Sequence, residues 1–364
     1  MKQPPFFPDR RQFLKTGGAL AAAGLLPHEA RATTNQLPAL PFHQKTQASM
    51  PTRNFGKTGF KVGLFSLGGQ SALEKPNNFD IAVPLIERAL DLGVNFIDTA
   101  ARYGFPERWS EQYIGRVMEH RRNEVYLVTK SRERTRDGAL RDIEQSLKLM
   151  KTDHLDLWLL HNIGIPEEVD AVFAKGGAME AFTQMQDQKV VRNLGVAAHY
   201  HPEPIIDLIN RHPFDAVLLA LNAADSLSPH SFTAKLLPLA VEKEMGIFGM
   251  KIAARGRILS SWTPPPVEVQ KRSWEGVATS PGTLTIREAI RYVLSLPVST
   301  VIIGCDDIAQ LEENVQIARE FNPLSQAQMA ALTKQTAPIE SQANFFHSET
   351  RPREIASSAD KTDE

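Results

Sequence analysis

LDLWLLH at residues 155–161, VRNLGVAA at 191–198 and AVLLALNA at 216–223 are short, β-rich apolar runs, and the chain between them has helical spacing. A continuous apolar run of this length is the mark of a strand buried on both faces of a parallel sheet. Reading outward in both directions, the same unit recurs at GLFSLGG (63–69), NFIDTA (95–100), VYLVTK (125–130), GIFGMKIA (246–253) and STVIIGC (299–305), which makes eight runs. Strand and helix alternating in this way predict an α/β fold with a parallel sheet. Eight such units in under 300 residues fit a closed (α/β)8 TIM barrel. The intervening segments are amphipathic. In DIAVPLIERALDLG (80–93), Ile81, Leu85, Ile86, Ala89 and Leu90 are expected on one face, with Gly93 closing the helix. A doubly wound nucleotide-binding sheet is the competing architecture, but it places G-x-G-x-x-G after its first strand. Here the first run ends in Gly68-Gly69-Gln70, with no third glycine.

Composition bounds the class of protein. The chain has 364 residues, 42% of them hydrophobic, and a formal net charge of −1. That is enough to bury a large core, and there is no basic surplus to suit a nucleic-acid partner. The lone cysteine, Cys305, excludes an intrachain disulfide and a cysteine-built metal site, and reads as a strand-end residue.

The N-terminus reads as an address. Arg10 and Arg11 in DRRQFLK precede GGALAAAGLL (17–26), a weakly apolar stretch of ten residues that is too short to span a bilayer. Ala30 and Ala32 then form an A-x-A end. The order of features resembles a twin-arginine export signal with cleavage after Ala32, which implies the export machinery as a partner and a periplasmic or otherwise exported product without stable membrane insertion. A buried Ala-Leu helix behind a basic terminus is the ordinary alternative. That pathway carries folded proteins, so a cofactor acquired before export could travel with the chain. The expected divisions are the signal at 1–32, a linker at 33–50 containing Pro38 and Pro41, one barrel domain at 51–336 and a tail at 337–364.

In a barrel of this kind, active sites form at the C-terminal ends of the strands. Asp98 ends the second run, Lys130 the third and His161 the fourth, and Tyr103 lies in the loop just beyond Asp98. A carbonyl accepting hydride gathers negative charge on oxygen, and a phenol in reach can donate a proton to it. Lys130 is expected to lower the Tyr103 pKa, Asp98 to hold Lys130, and His161 to position the carbonyl. No metal is needed for this chemistry. Each residue also has an ordinary reading: Asp98 as a loop cap, Lys130 as its structural ion pair, and Tyr103 as a rim aromatic. The long proline-rich loop from about Gly256 to Gly282 holds Trp262 and Trp274 and falls at the same rim.

These residues carry a family resemblance. GVNFIDTAARYG (93–104), SEQYIG (110–115), LVTKS (127–131), LDLWLLH and LEENV (311–315), as an ordered set, resemble the aldo/keto reductases, and RNFGKTGFKVGLFSLGG (53–69) is similar to that family's N-terminal β-hairpin and first strand. The resemblance implies an NAD(P)H-dependent oxidoreductase that reduces a small aldehyde or ketone or oxidises the corresponding alcohol, with Asp98, Tyr103, Lys130 and His161 as the catalytic set. It implies cofactor contacts along Asn222, Lys251, Ala253, Gly256, Gly304, Asp306, Glu313 and Asn314. Trp109 and Trp262 are candidates to line the substrate site, and His199 reads as a capping or surface residue.

The resemblance is incomplete. Ala197 and Ala198 replace a Ser-Asn pair that holds the carboxamide in the family, Leu218 and Leu221 replace a Gln and a stacking Tyr, and Lys251 stands at a pyrophosphate-contacting Ser. A catalytically idle barrel serving as a binding or regulatory subunit is therefore a second reading. After the last run, GCDDIAQLEENV offers Asp306, Asp307 and Gln310 where members that use NADP present Lys or Arg, which implies a weak preference for NADH. Asp306 and Asp307 as caps of the following helix are the alternative.

Overall fold

The computed structural model describes residues 36–41, 44–271 and 276–347. The expected signal, its cleavage site after Ala32, Trp274 and the polar end of the tail lie outside the described residues. A short antiparallel hairpin, β1 (Thr52–Asn54) and β2 (Lys61–Gly63), precedes eight parallel strands. These are β3 (Phe65–Gly68), β4 (Phe96–Asp98), β5 (Tyr126–Ser131), β6 (Leu155–His161), β7 (Val191–Ala198), β8 (Ala216–Ala220), β9 (Gly246–Met250) and β10 (Thr300–Ile303). Each pairs with the next in chain order, and β10 closes the barrel between β9 and β3. The β6 and β7 boundaries coincide with the apolar runs in the sequence. β5 runs one residue past its apolar run to Ser131, and the remaining runs lose their last residues to the rim loops, where the backbone leaves the ladder.

The hairpin plugs the bottom of the barrel. Its turn drives Phe55 and Phe60 fully into the core, where Phe55 meets Phe96, Tyr126 and Phe248 at ring separations of 5.2–5.6 Å and Phe60 stacks on Tyr126 at 4.4 Å. Edge-to-face and offset contacts of this kind add to the burial of each ring. Two glycines make room. Gly56 has φ +54°, and a Cβ there would fall 2.3 Å from the Gly246 backbone nitrogen, while a Cβ on Gly246 would strike the Phe55 ring. Arg53 anchors the hairpin by donating to the carbonyls of Val298 (2.6 Å) and Leu294 (2.8 Å).

Three details depart from the sequence expectation. Ile81 is 48% exposed, and Ala82 takes its place on the buried face of helix Phe79–Asp91 beside Leu85, Ile86, Ala89 and Leu90. The stripe centres on Ala82, Ile86 and Ala89, and Ile81 lies about 100° round the helix from Ala82. Within the segment expected as linker, Gln44–Ser49 forms a helix that seats Thr46 and Met50 against Gly63. Only that pair, one turn apart, faces inward, too few residues to show a period. At the other end, Ala337–His347 packs down on the upper rim: Asn344 donates to the Ala224 carbonyl (2.9 Å), and Gln342 donates to those of Arg257 (2.9 Å) and Ser280 (3.0 Å). Among the described residues no helix is long and apolar enough to cross a membrane.

Candidate active site

Asp98 and His161 end β4 and β6, and Lys130 is the penultimate residue of β5, the strand between them. Lys130 is 1% exposed despite its charge. Its ammonium donates to Asp98 Oδ2 (2.6 Å), to the Thr99 carbonyl (2.7 Å) and to Tyr103 Oη (3.4 Å), so all three of its protons have partners. It also lies 4.8 Å from the centre of the Tyr103 ring. The loop that delivers Tyr103 is fixed from below. Thr99 Oγ1 donates to Ser110 Oγ (2.8 Å), and the buried Glu111 carboxylate accepts from Thr129 Oγ1 (2.8 Å) and faces Arg108 at 3.6 Å. The SEQYIG motif thus holds the strand ends in register rather than entering the cleft.

Burial dominates the ionisation of this cluster. It raises Asp98 and lowers Lys130, with their mutual attraction opposing both shifts. Burial also holds the Tyr103 phenol well above its ordinary value, reinforced by the charges of Asp98 and Glu74. This runs against the expectation that Lys130 lowers the Tyr103 pKa, because burial outweighs the nearby positive charge. The phenol therefore retains its proton at neutral pH. His161 lies well below the ordinary imidazole range through burial, then through the positive charge of Lys130, and is neutral. Its ring stands 6.2 Å from that of Tyr103, and His199 lies 5.5 Å beyond it. Among the described residues Asp98 Oδ1 and His161 Nδ1 are buried polar atoms with no hydrogen-bond partner, and both belong to the mouth of the barrel.

A cleft of about 680 Å³ opens at that mouth. Asp98 and Tyr103 line one end, Lys251, Ala253, Arg255, Gly256, Trp262 and Gly304 its length, and Asp306, Gln310, Glu313 and Asn314 the other. Lys251 reaches across to Gln70 Oε1 (3.4 Å), which in turn donates through Nε2 to Glu74 (3.1 Å). Gln70, Glu74 and Met250 were not among the sequence candidates. The strand-end rule that selected Asp98 points equally to Gln70 and Met250, at the ends of the first and seventh runs.

Two candidates fall elsewhere. Asn222 is buried and committed: its Nδ2 donates to the Ala343 carbonyl (3.1 Å) and its Oδ1 accepts from the Ala224 amide (2.8 Å), so it ties down the C-terminal segment. Trp109 packs on Tyr113 and Phe79 at the start of its helix, away from the cleft walls. Ala197, Ala198, Leu218 and Leu221 are all buried, so the positions where the sequence departs from the family pattern are filled by apolar packing. Asp307 caps helix Ile308–Arg319 by accepting from the Gln310 amide (2.8 Å), while Asp306 pairs with Lys75 (2.8 Å). The capping alternative therefore describes Asp307 and not Asp306. Burial pushes the Cys305 thiol up to about 12, which makes it an inert core residue.

The comparisons with known proteins follow this geometry. The aldo/keto reductase family model matches residues 61–336, and the TAT (twin-arginine translocation) pathway signal sequence matches residues 8–27. The chain is 24% identical to the uncharacterized oxidoreductase YqkF of Bacillus subtilis over 79% of its own length and 97% of that protein's. It is 26% identical to the L-galactose dehydrogenase of Arabidopsis thaliana, over 76% and 90%. Among solved structures, an aldo-keto reductase from Bacillus halodurans in its holo form superposes with a TM-score of 0.64 at 23% identity, covering 79% of this chain and 96% of that one. An aldo-keto reductase from Klebsiella pneumoniae in complex with NADPH gives 0.61 at 19% identity, over 78% and 94%.

Proposed function

Because the chain belongs to the aldo/keto reductase family, we propose that it is an NAD(P)H-dependent oxidoreductase that reduces an aldehyde or ketone, with Tyr103 as the proton donor. The observation that carries this reading is the buried Asp98–Lys130 pair with the Tyr103 hydroxyl 3.4 Å from the same ammonium, where Asp98 and Tyr103 line the cleft at the barrel mouth. A barrel that only packs or only binds has no use for a sealed ammonium aimed at a phenol, since burying an ion pair is a weak source of stability.

The residues present fit a dinucleotide. The cations Lys251 and Arg255 line the cleft and could meet a pyrophosphate, the unpartnered Asp98 Oδ1 belongs to a residue of the same lining, and the His161 ring stands 6.2 Å from that of Tyr103. When bound, the reduced nicotinamide supplies hydride to the carbonyl carbon. Tyr103 Oη donates its proton to the carbonyl oxygen as negative charge develops there, and the O–H bond breaks toward that oxygen. Lys130 stabilises the phenolate left behind, Asp98 keeps Lys130 charged and aimed, and a proton from solvent restores the phenol. His161, neutral and capable of donating from one ring nitrogen, orients the carbonyl; Trp262 closes the substrate side.

Cofactor choice turns on Asp306. It faces the cleft as a carboxylate, and its partner Lys75 is engaged at 2.8 Å rather than offered to a 2′-phosphate. Tighter binding is expected for NADH than for NADPH, because a free 2′-hydroxyl can donate to a carboxylate that would repel a phosphate. Asp306→Ala releases Lys75, and the NADPH:NADH affinity ratio should then rise about tenfold, the worth of one screened charge-assisted contact. Fluorescence titration of both nucleotides decides it. NADPH binding more tightly than NADH to the parent chain sinks the assignment.

The signal directs the chain to export through the twin-arginine pathway. Changing both Arg10 and Arg11 to Lys should leave the full-length precursor in the cytoplasm, as read by fractionation and immunoblot. Undiminished export of that variant would mean that the arginine pair is not what the machinery reads. The mature chain is expected to begin at Thr33 and to be exported from the cytoplasm with its dinucleotide bound.

A further inference from the structure

A second cluster of polar side chains lies on the upper rim, apart from the cleft. His201 follows β7 and precedes helix Pro202–Arg211, Glu203 lies in the first turn of that helix, and His230 sits in the loop after β8. Their ligand atoms all lie within 4.8 Å of one another. The two imidazoles meet Nδ1 to Nδ1 at 3.2 Å, with their rings at 80°. Two ligands on a tetrahedral zinc, at about 2.0–2.1 Å from the metal, stand about 3.3 Å from each other, so the nitrogens already hold the edge of such a site.

The loops that present them are held in place. Asp225 is fully buried and accepts from Ser231 Oγ (2.9 Å) and from the Phe232 (3.1 Å) and Thr233 (2.8 Å) amides, which fixes the chain on the C-terminal side of His230. The His230 amide donates to Ser228 Oγ (3.2 Å). On the other side, the Tyr200 carbonyl meets His347 Nδ1 at 2.6 Å, which joins the loop of His201 to the C-terminal segment. Glu203 is anchored by Lys235 through Oε1 (2.7 Å).

We propose that His201, Glu203 and His230 form a binding site for one divalent transition-metal cation of the zinc type, clasping the β7 and β8 rim loops beside the C-terminal segment. Two imidazole nitrogens and a carboxylate oxygen are borderline donors suited to zinc, nickel or copper, and water completes the coordination shell. None of the three ligands lines the cleft that holds Tyr103, so metal binding there is a structural clasp and adds no step to hydride transfer. It raises the cost of opening the loops that flank His199 and His161. Lys235 competes for the Glu203 carboxylate, so the affinity is set partly by that ion pair.

The test uses mature protein purified without a histidine tag, stripped with a chelator and titrated with zinc chloride in a calorimeter and in thermal unfolding. One zinc per chain is expected, with the folded-to-unfolded ratio rising about a hundredfold when free zinc is a hundred times its Kd. His201→Asn and His230→Asn should each abolish that binding while their far-UV spectra and zinc-free turnover match the parent. Lys235→Met should tighten binding by freeing Glu203, an effect that no loss of fold can mimic. Absence of stoichiometric binding, or binding unchanged in both histidine variants, overturns the proposal and leaves the 3.2 Å contact as a hydrogen bond between two histidines.

Discussion

Tyr103→Phe is expected to lower the turnover of a carbonyl substrate by about a hundredfold to ten-thousandfold, the usual contribution of a positioned general acid. The substitution removes one oxygen and keeps the ring, so its packing over Lys130 survives and the affinity for the dinucleotide should be nearly unchanged. The pH profile adds an independent reading. The phenol is held above its ordinary value by burial and then by the charges of Asp98 and Glu74. A general acid is active only while protonated, so the rate of reduction falls as pH rises through the raised pKa. The alkaline limb should therefore lie above the range of an exposed tyrosine, and Glu74→Gln should move it down by removing one of the charges that raise it. Turnover within tenfold of the parent in the Phe variant would reassign the proton to another donor, such as Lys130 or His161.

The barrel was legible because β-rich runs such as AVLLA (216–220) keep one apolar character from end to end, as a strand covered on both faces requires. The polar cluster at the barrel mouth was legible for a different reason. Asp98, Lys130 and His161 each sit at the last residue or near the end of a run, and barrel topology brings strand ends to one face whatever lies between them. What escaped was decided by side-chain partners that no spacing encodes. Asn222 has the right position and the right amide, but its Nδ2 is taken by the Ala343 carbonyl, from a segment more than a hundred residues away. Trp109 is close to Tyr103 in sequence and turns outward onto Phe79 and Tyr113. The sign of the Tyr103 shift was likewise hidden, because it depends on how deeply the phenol is buried and on the charges of Asp98 and Glu74 around it. The His201–Glu203–His230 cluster lies on two separate loops, so its members share no motif.

Lys130→Met is expected to abolish turnover and to destabilise the fold by about 3–5 kcal/mol, the cost of leaving a buried carboxylate without its partner. A loss of activity alone would not separate chemistry from collapse, and the pH dependence of the stability deficit does. Without Lys130, Asp98 keeps the burial that raises its pKa and loses the opposing attraction, so its folded pKa rises further above the unfolded value. The folded state then binds the extra proton first, and the stability this confers is fully present below the unfolded pKa and lost as pH rises through the folded one. Measured as a difference from the parent by denaturant unfolding, the deficit should shrink on acidification toward the ordinary carboxylate range. In Lys130→Met combined with Asp98→Asn, the buried charge is gone, so the deficit should fall to about 1–2 kcal/mol and lose its pH dependence, as expected when a buried ion pair is replaced by neutral groups. Turnover should remain absent in the double variant, because the restored fold still lacks the ammonium beside Tyr103. A double variant that regained activity along with stability would make the pair a structural element of the rim and remove Lys130 from the proton-transfer step.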